Sequence, residues 1–135
     1  MAATTWCWDS QTNVPLLIRI AEHNPNINVK IFNKDKLPFI IDQINDGAKV
    51  PQALIFSKDF YYIDRWVEKT TLAYKLFTKV YDEFGWDKEK KDEFIKEYRK
   101  RFLKQQTEIG KALIKEMRYI LERIDSIQAS TERFH

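Results

Sequence analysis

The order of apolar and polar residues divides the first half of the chain into alternating helical and extended segments. From Ser10 to His23 apolar residues recur at steps of three and four, which predicts a helix with one buried face. Pro15 lies about one turn from the start, so we expect a kink or the true first turn there, and Pro25 ends the helix. The predicted buried face comprises Val14, Leu17, Ile18 and Ala21.

Short apolar runs predict strands on either side of a second helix. That second helix ends at Gly47, a good C-terminal cap. Pro51 precedes the next apolar run, where its missing N–H is least costly because it begins a strand. A turn at Lys58–Asp59 joins this strand to its partner in a hairpin. The predicted segments are strands at 28–33, 53–56 and 60–66 and a helix at 38–47.

The second half of the chain has helical spacing throughout. Thr70 or Thr71 caps a helix that ends before Gly85. Asp87 then begins a long charged region, and we expect a break near 107–110 because threonine can start a helix and glycine weakens one. The apolar edge of this region is formed by Phe94, Ile95, Tyr98, Phe102, Ile109, Leu113, Met117, Ile120, Ile124 and Ile127.

These segments predict an α/β fold with a helical C-terminal extension. The core is assigned to residues 1–86, the extension to 87–128 and a disordered tail to 129–135. The total of 135 residues has the size of one domain. The extension either packs on its own domain or forms a helical hairpin or a dimer seam.

Composition excludes several classes of function. Lys and Arg number 23 against 20 Asp and Glu, and the net charge of +3 is too small to indicate a nucleic-acid partner. The sequence has neither an apolar run that could span a bilayer nor a signal peptide, so we expect a cytoplasmic protein with no membrane partner. His23 and His135 are far apart and the three glycines are scattered, so the sequence predicts no metal site and no cofactor.

Cys7, the only cysteine, opens the first predicted helix and is the one position that suggests chemistry. Unpaired backbone N–H groups and the helix dipole favour a thiolate there. The spacing is Cys-x-x-Ser, so Ser10 leaves no local thiol to resolve a mixed disulfide. The alternative is that Cys7 is a small apolar residue packed among Trp6 and Trp8. Spacing alone leaves both interpretations open.

A longer pattern surrounds this turn and resembles a known family. Trp6-Cys7-x-Asp9-x-x-Asn13-Val14-Pro15 is followed by Ile20-Ala21-Glu22-x-Asn24-Pro25-Asn26-Ile27, and the similarity continues through 29–35, 42–43, 47–51 and 65–66. In this order the pattern is similar to a bacterial thioredoxin-like family that carries Trp-Cys-x-Asp-Cys or Trp-Cys-x-Asp-Ala at its active-site turn. The resemblance covers about the first half of the chain.

The resemblance implies a thioredoxin-like fold whose site is the Cys7 turn, delivered by a central strand that ends within residues 1–5. Cys7 is then the catalytic cysteine, and Ser10 can donate a hydrogen bond to its thiolate. Val50–Pro51 falls at the family's cis-proline position, although the sequence by itself favours a trans proline that starts a strand. The residues expected to bind substrate are Trp6, Trp8, Asp9, Val50 and Pro51.

Two features depart from the family pattern. The family has a further strand, helix and strand before its cysteine turn, whereas five residues precede Trp6 here. We therefore expect a shortened fold, or a sheet completed by pairing between chains in a homodimer. Val67-Glu68-Lys69 follows Trp66, where the family usually has Gly and Pro, so the conformation of that loop is not predicted. Asp9 is expected to act mainly as a helix cap.

Two functions follow from these observations. In the first, Cys7 performs monothiol thiol–disulfide exchange with a protein or low-molecular-weight thiol, and an external thiol resolves the mixed disulfide. In the second, a non-catalytic thioredoxin-like module binds a partner through the groove between Trp6 and Pro51 or through its C-terminal helices. The resemblance favours the first.

Overall fold

The chain forms two compact units in a computed structural model that describes residues 1–36, 49–85 and 87–134. One unit is Met1–Lys69 with Ile120–His135, and the other is Thr70–Tyr119. These units do not coincide with the ranges predicted as core, extension and tail, and the domain ranges stay a prediction. The helix predicted at 38–47 lies outside the described residues.

A mixed sheet forms the centre of the first unit. β1 runs parallel to β2 and antiparallel to β3, and β3 pairs antiparallel with β4. The order β2-β1-β3-β4 places β1 inside the sheet, so the inner strand leads directly into the Cys7 turn. The strands are β1 (Ala2–Ala3), β2 (Phe32–Asn33), β3 (Gln52–Phe56) and β4 (Tyr62–Val67).

β2 is shorter than the strand predicted at 28–33. Its backbone is held by two bonds to the first strand: Phe32 N–H donates to the Met1 carbonyl at 2.8 Å, and Lys34 N–H donates to the Ala3 carbonyl at 3.0 Å. The length of a strand depends on its partner, and β1 has only two residues. The alternation of apolar and polar residues therefore extends over more residues than the backbone pairing of β2 with β1.

The β3–β4 hairpin has the predicted topology with a later start to its second strand. Ser57 N–H donates to the Tyr61 carbonyl at 2.9 Å, and Phe60 N–H donates to the Ser57 carbonyl at 3.0 Å. Phe60 has φ of 63°, in the left-handed region that strands do not use. β4 accordingly begins at Tyr62 and not at Phe60.

The helix α1 (Trp8–Glu22) contains Pro15, and its buried side chains are Ser10, Asn13 and Leu17. Of the apolar face predicted for this helix, only Leu17 is buried. Ser10 and Asn13 take the inner positions because both form hydrogen bonds there. The buried face is thus set by polar contacts as well as by apolar spacing.

The first two elements of the second unit each begin with a side-chain cap. Thr70 Oγ1 accepts a hydrogen bond from Ala73 N–H at 3.1 Å, so of the two predicted caps, Thr70 or Thr71, the structure has Thr70. Gly85 follows with φ of 70°, and Asp87 Oδ1 accepts from Glu89 N–H at 2.9 Å. The elements here are α2 (Thr71–Glu83), a 3₁₀ turn (Lys88–Lys90) and α3 (Lys91–Lys104).

Aromatic rings fill the contact between α2 and α3. The Phe77 ring meets Phe94 at 5.0 Å and Tyr98 at 5.3 Å between centroids, and Tyr81 meets Phe94 at 5.0 Å. All three contacts are edge-to-face, the arrangement that aromatic quadrupoles prefer. Phe94 and Tyr98 of the predicted apolar edge therefore pack against aromatic side chains of α2.

The longest helix, α4 (Gln106–Phe134), continues into the range predicted as a tail. The break before it lies at Gln105, just ahead of the break predicted at 107–110. Within the first unit, Arg123 of α4 forms a salt bridge with Asp64 of β4. Across the described stretches of the chain, no helix combines the length and apolar character that a membrane crossing requires.

Candidate functional site

Cys7 lies between the end of β1 and the first residue of α1. It is the N-cap of α1, with an extended backbone, and its carbonyl oxygen accepts from Gln11 N–H at 3.0 Å. An N-cap residue precedes the first-turn N–H groups that have no partner within the helix. The half-buried thiol is thus placed at the helix N-terminus, as the sequence predicts.

The Cys7 side chain faces the segment Val50–Pro51. Its Sγ lies 3.5 Å from the carbonyl oxygen of Val50, to which the thiol donates. The Val50–Pro51 peptide bond is cis, and both residues are buried. The sheet brings the two segments together, because Ala2 lies opposite Gln52 in the β1–β3 pair.

Ser10, in the first turn of α1, is tied to the end of the preceding strand. Its side chain is buried, with 3% of the residue exposed, and Oγ accepts a hydrogen bond from Thr4 N–H at 3.3 Å. The hydroxyl keeps its own proton for donation. The structure therefore gives Ser10 a role in holding α1 against β1, and its catalytic role stays a prediction.

Trp6 and Trp8 lie on either side of the thiol in sequence. Trp6 is 64% exposed, and its indole N–H donates to Asp35 Oδ2 at 2.7 Å. Trp8 is the first residue of α1 and is half-buried. An exposed indole fixed by a carboxylate offers a flat apolar surface beside Cys7. Substrate binding by either tryptophan stays a prediction.

Asp9 is ion-paired with a lysine that the sequence did not single out. Asp9 Oδ2 lies 3.2 Å from Lys69 Nζ, and that ammonium also lies 2.8 Å from Glu68 Oε1. The second oxygen of Glu68 lies 3.6 Å from Lys49 Nζ. The N-cap position is occupied by Cys7, so Asp9 lies within the first turn and not at the cap expected for it. A chain of alternating charges thus runs from Asp9 in α1 through Lys69 and Glu68 to Lys49.

The backbone of Glu68 joins this network to the proline segment. Glu68 has φ of 67°, and its N–H donates to the Pro51 carbonyl at 2.6 Å. Asn13 Nδ2 donates to the Glu68 carbonyl at 3.2 Å and to the Asp9 carbonyl at 3.0 Å. Asn13 therefore bridges α1 and the loop that follows β4.

Sequence reasoning missed Lys69, Glu68 and Asn13 as parts of the site. One signal was present: Glu68 and Lys69 stand where the resemblance leads one to expect glycine and proline. Asn13 belongs to the motif of the resemblance, which assigns it no role in the site. Nothing local indicates that these residues meet, because Asn13 and Glu68 are far apart in the chain.

The chemistry available to this arrangement is that of a single sulfur nucleophile. Within residues 1–36, 49–85 and 87–134, no group of His, Cys, Asp and Glu side chains could hold a metal ion. A thiolate can attack a disulfide and form a mixed disulfide, which a further thiol must resolve. The backbone at Val50–Pro51 lies next to the sulfur at which such a partner would be attached.

Comparison with known proteins gives one match. Residues 1–82 match the model of a family described as thioredoxin, which covers more than half of the chain and all of the site described above. No curated protein and no solved structure matches the chain significantly.

Proposed function

We propose, because this chain belongs to the thioredoxin family, that it performs monothiol thiol–disulfide exchange through Cys7. The observation that carries the proposal is the placement of its one thiol, at the N-terminus of α1 and 3.5 Å from the Val50 carbonyl. The partner is a protein or low-molecular-weight disulfide or thiol. No resolving cysteine exists in the sequence, so the intermediate depends on an external thiol.

The exchange has two balanced steps. The Cys7 thiolate attacks one sulfur of a disulfide, an S–S bond forms to Cys7, and the other sulfur leaves as a thiolate that takes up a proton. An external thiolate then attacks the mixed disulfide and releases Cys7. The hydrogen bond from the Cys7 thiol to the Val50 carbonyl is lost when the thiol gives up its proton. The Val50 carbonyl can then accept a hydrogen bond from a backbone N–H of the partner.

The second candidate is a non-catalytic binding module that uses the same surface. The large exposed area of Trp6, held by Asp35, favours this candidate because exposed aromatic side chains are common anchors in interfaces. In that case Cys7 contributes packing, and its substitution leaves partner binding intact.

The setting proposed for the exchange is the cytoplasm of a bacterium. A single cysteine permits no internal disulfide and suits a reducing compartment, which also supplies the resolving thiol. A homodimer is part of the proposal because β2, at the edge of the sheet, pairs with β1 over only two residues, and pairing between chains would complete the sheet. Analytical ultracentrifugation measures the oligomeric state directly.

The test uses glutathione disulfide and the intact chain. We expect the native protein to gain one glutathionyl group, seen by intact mass spectrometry, faster than the same protein unfolded in urea. Added reduced thiol should remove the group, and Cys7→Ser should gain none. If the native thiol reacts more slowly than the unfolded one, the exchange function is wrong, and Cys7 is a packing residue.

A further inference from the structure

The second unit contains a cavity of about 280 Å³ between α2 and α3. Five of the side chains that line this α2–α3 cavity are apolar or aromatic: Phe77, Tyr81, Phe84, Phe94 and Ile95. Its volume is close to the lower limit of ligand pockets in proteins, about 300 Å³. The cavity therefore has room for one small molecule and not for a lipid with two chains.

The walls of the cavity are held in place by contacts between aromatic rings. Phe77 and Tyr81 lie one turn apart on α2, and Phe84 is its C-cap residue. The Phe94 ring of α3 is buried and meets all three edge-to-face, with centroids at 5.0 Å from Phe77 and Tyr81 and at 6.4 Å from Phe84. The other lining rings and Ile95 are half-buried, so part of their apolar surface is available to a ligand.

Charged residues form the rim of the cavity. Asp87, Lys88 and Lys91 line it and are exposed to solvent. The stem of a lysine can lie along an apolar wall while its ammonium stays in water. Asp87 Oδ1 already accepts a hydrogen bond from Glu89 N–H, and neither lysine forms a salt bridge with any residue that the structure describes. The rim thus carries two positive charges against one negative charge.

We propose that the α2–α3 cavity binds a small carboxylate with an apolar body, such as a medium-chain fatty acid. The apolar body packs against the aromatic walls, where its removal from water is favourable. The carboxylate lies at the rim near Lys88 and Lys91, because a charge-assisted hydrogen bond to an ammonium favours an anion over a neutral or cationic group. This inference is independent of the exchange function, since the cavity belongs to the second unit and Cys7 to the first.

The experiment titrates the intact, isotope-labelled chain with octanoate and follows the backbone amides by NMR, which gives both the affinity and the place of binding. Octanol and octylammonium are the matched probes, because they have the same alkyl chain with no charge and with the opposite charge. We expect octanoate to bind most tightly, octanol more weakly and octylammonium most weakly. The amides that shift with octanoate should be those of the residues that line the cavity.

Variants separate the contribution of the rim from that of the walls. Lys88→Gln and Lys91→Gln should each weaken octanoate binding about threefold, the effect of one exposed charge pair, and leave the affinity for octanol unchanged. The control is Lys96→Gln, which removes an exposed lysine of α3 that does not line the cavity and should change neither affinity. Ile95→Glu places a carboxylate in the apolar wall and should abolish binding of both probes. Circular dichroism checks the folding of each variant, and the exposed lysines test the inference even if Ile95→Glu does not fold.

Several outcomes would overturn the inference. Octanoate that shifts the amides around Cys7 and Val50 in place of the cavity binds at the other site, and octanol that binds as tightly as octanoate shows that the rim does not select an anion. Amides of the cavity that shift when the protein alone is diluted, and not when octanoate is added, would make a second copy of the chain the occupant. A wild-type protein that fails to react with glutathione disulfide but binds octanoate at the cavity would remove the exchange function and retain this inference.

Discussion

Asn13→Ala is expected to loosen the connection between α1 and the loop after β4. Asn13 is 4% exposed, and its amide donates to the carbonyls of Asp9 and Glu68. Each such bond contributes about 1 kcal/mol net, so the loss of two amounts to about 2 kcal/mol. Alanine is the better helix former by about 0.6 kcal/mol, which offsets part of the loss. The expected decrease in the free energy of unfolding is therefore about 1.4 kcal/mol.

The assay is urea unfolding followed by far-UV circular dichroism, with the free energy taken from the linear extrapolation. Thr12→Ala is the matched control, since Thr12 Oγ1 makes one long bond of 3.3 Å to the same Asp9 carbonyl and is only half-buried. It should change the free energy of unfolding by no more than about 0.5 kcal/mol. If Asn13→Ala is no more destabilising than Thr12→Ala, the bridge to Glu68 does not stabilise the fold and the reasoning is refuted.

Two further predictions concern the second unit. Thr70→Ala should lower the free energy of unfolding by about 1 kcal/mol in the same urea assay, because the buried hydroxyl caps α2 at Ala73 N–H, whereas Thr70→Ser should retain most of the stability. The hydrogen bonds from Arg101 hold the pKa values of Glu83 and Glu97 below their usual range. Their stabilisation is thus complete above the unfolded-state pKa of about 4.3 and lost as pH falls through the folded values. In the wild type the urea midpoint of unfolding should fall as pH is lowered through this range, and in Arg101→Gln it should fall less steeply. An equally steep fall in the variant would contradict the role of Arg101.

The features that sequence reasoning predicted well are those with local causes. The Thr70 cap and the hairpin of β3 and β4 follow from residue types that act on their immediate neighbours. The position of Cys7 at the start of α1 is likewise local. The pairing of Cys7 with Val50–Pro51 is not local and came from the family resemblance alone.

The features that sequence reasoning missed depend on contacts between distant segments. Apolar spacing predicted a face of α1 through Val14 and Ile18, but the buried positions include Ser10 and Asn13 because their partners come from β1 and from the loop after β4. The short pairing of β2 depends on the length of β1. The residues next to Ser10, Asn13 or β2 in the sequence do not indicate which distant segment each of them contacts.

The loop after β4, which departs from the family pattern at Glu68–Lys69, is bound to the start of α1 through Asn13 and Asp9. The resemblance leads one to expect glycine and proline at Glu68–Lys69, and a cysteine or an alanine at Ser10. Glu68 adopts φ of 67°, a conformation in which a non-glycine residue is strained by about 1 kcal/mol. The strain is offset by the Glu68 N–H bond to Pro51 and by the Asn13 bond to the Glu68 carbonyl. The same loop places the buried Lys69 ammonium 3.2 Å from Asp9 Oδ2, so an ion pair as well as the Asn13 hydrogen bonds ties the loop after β4 to the start of α1.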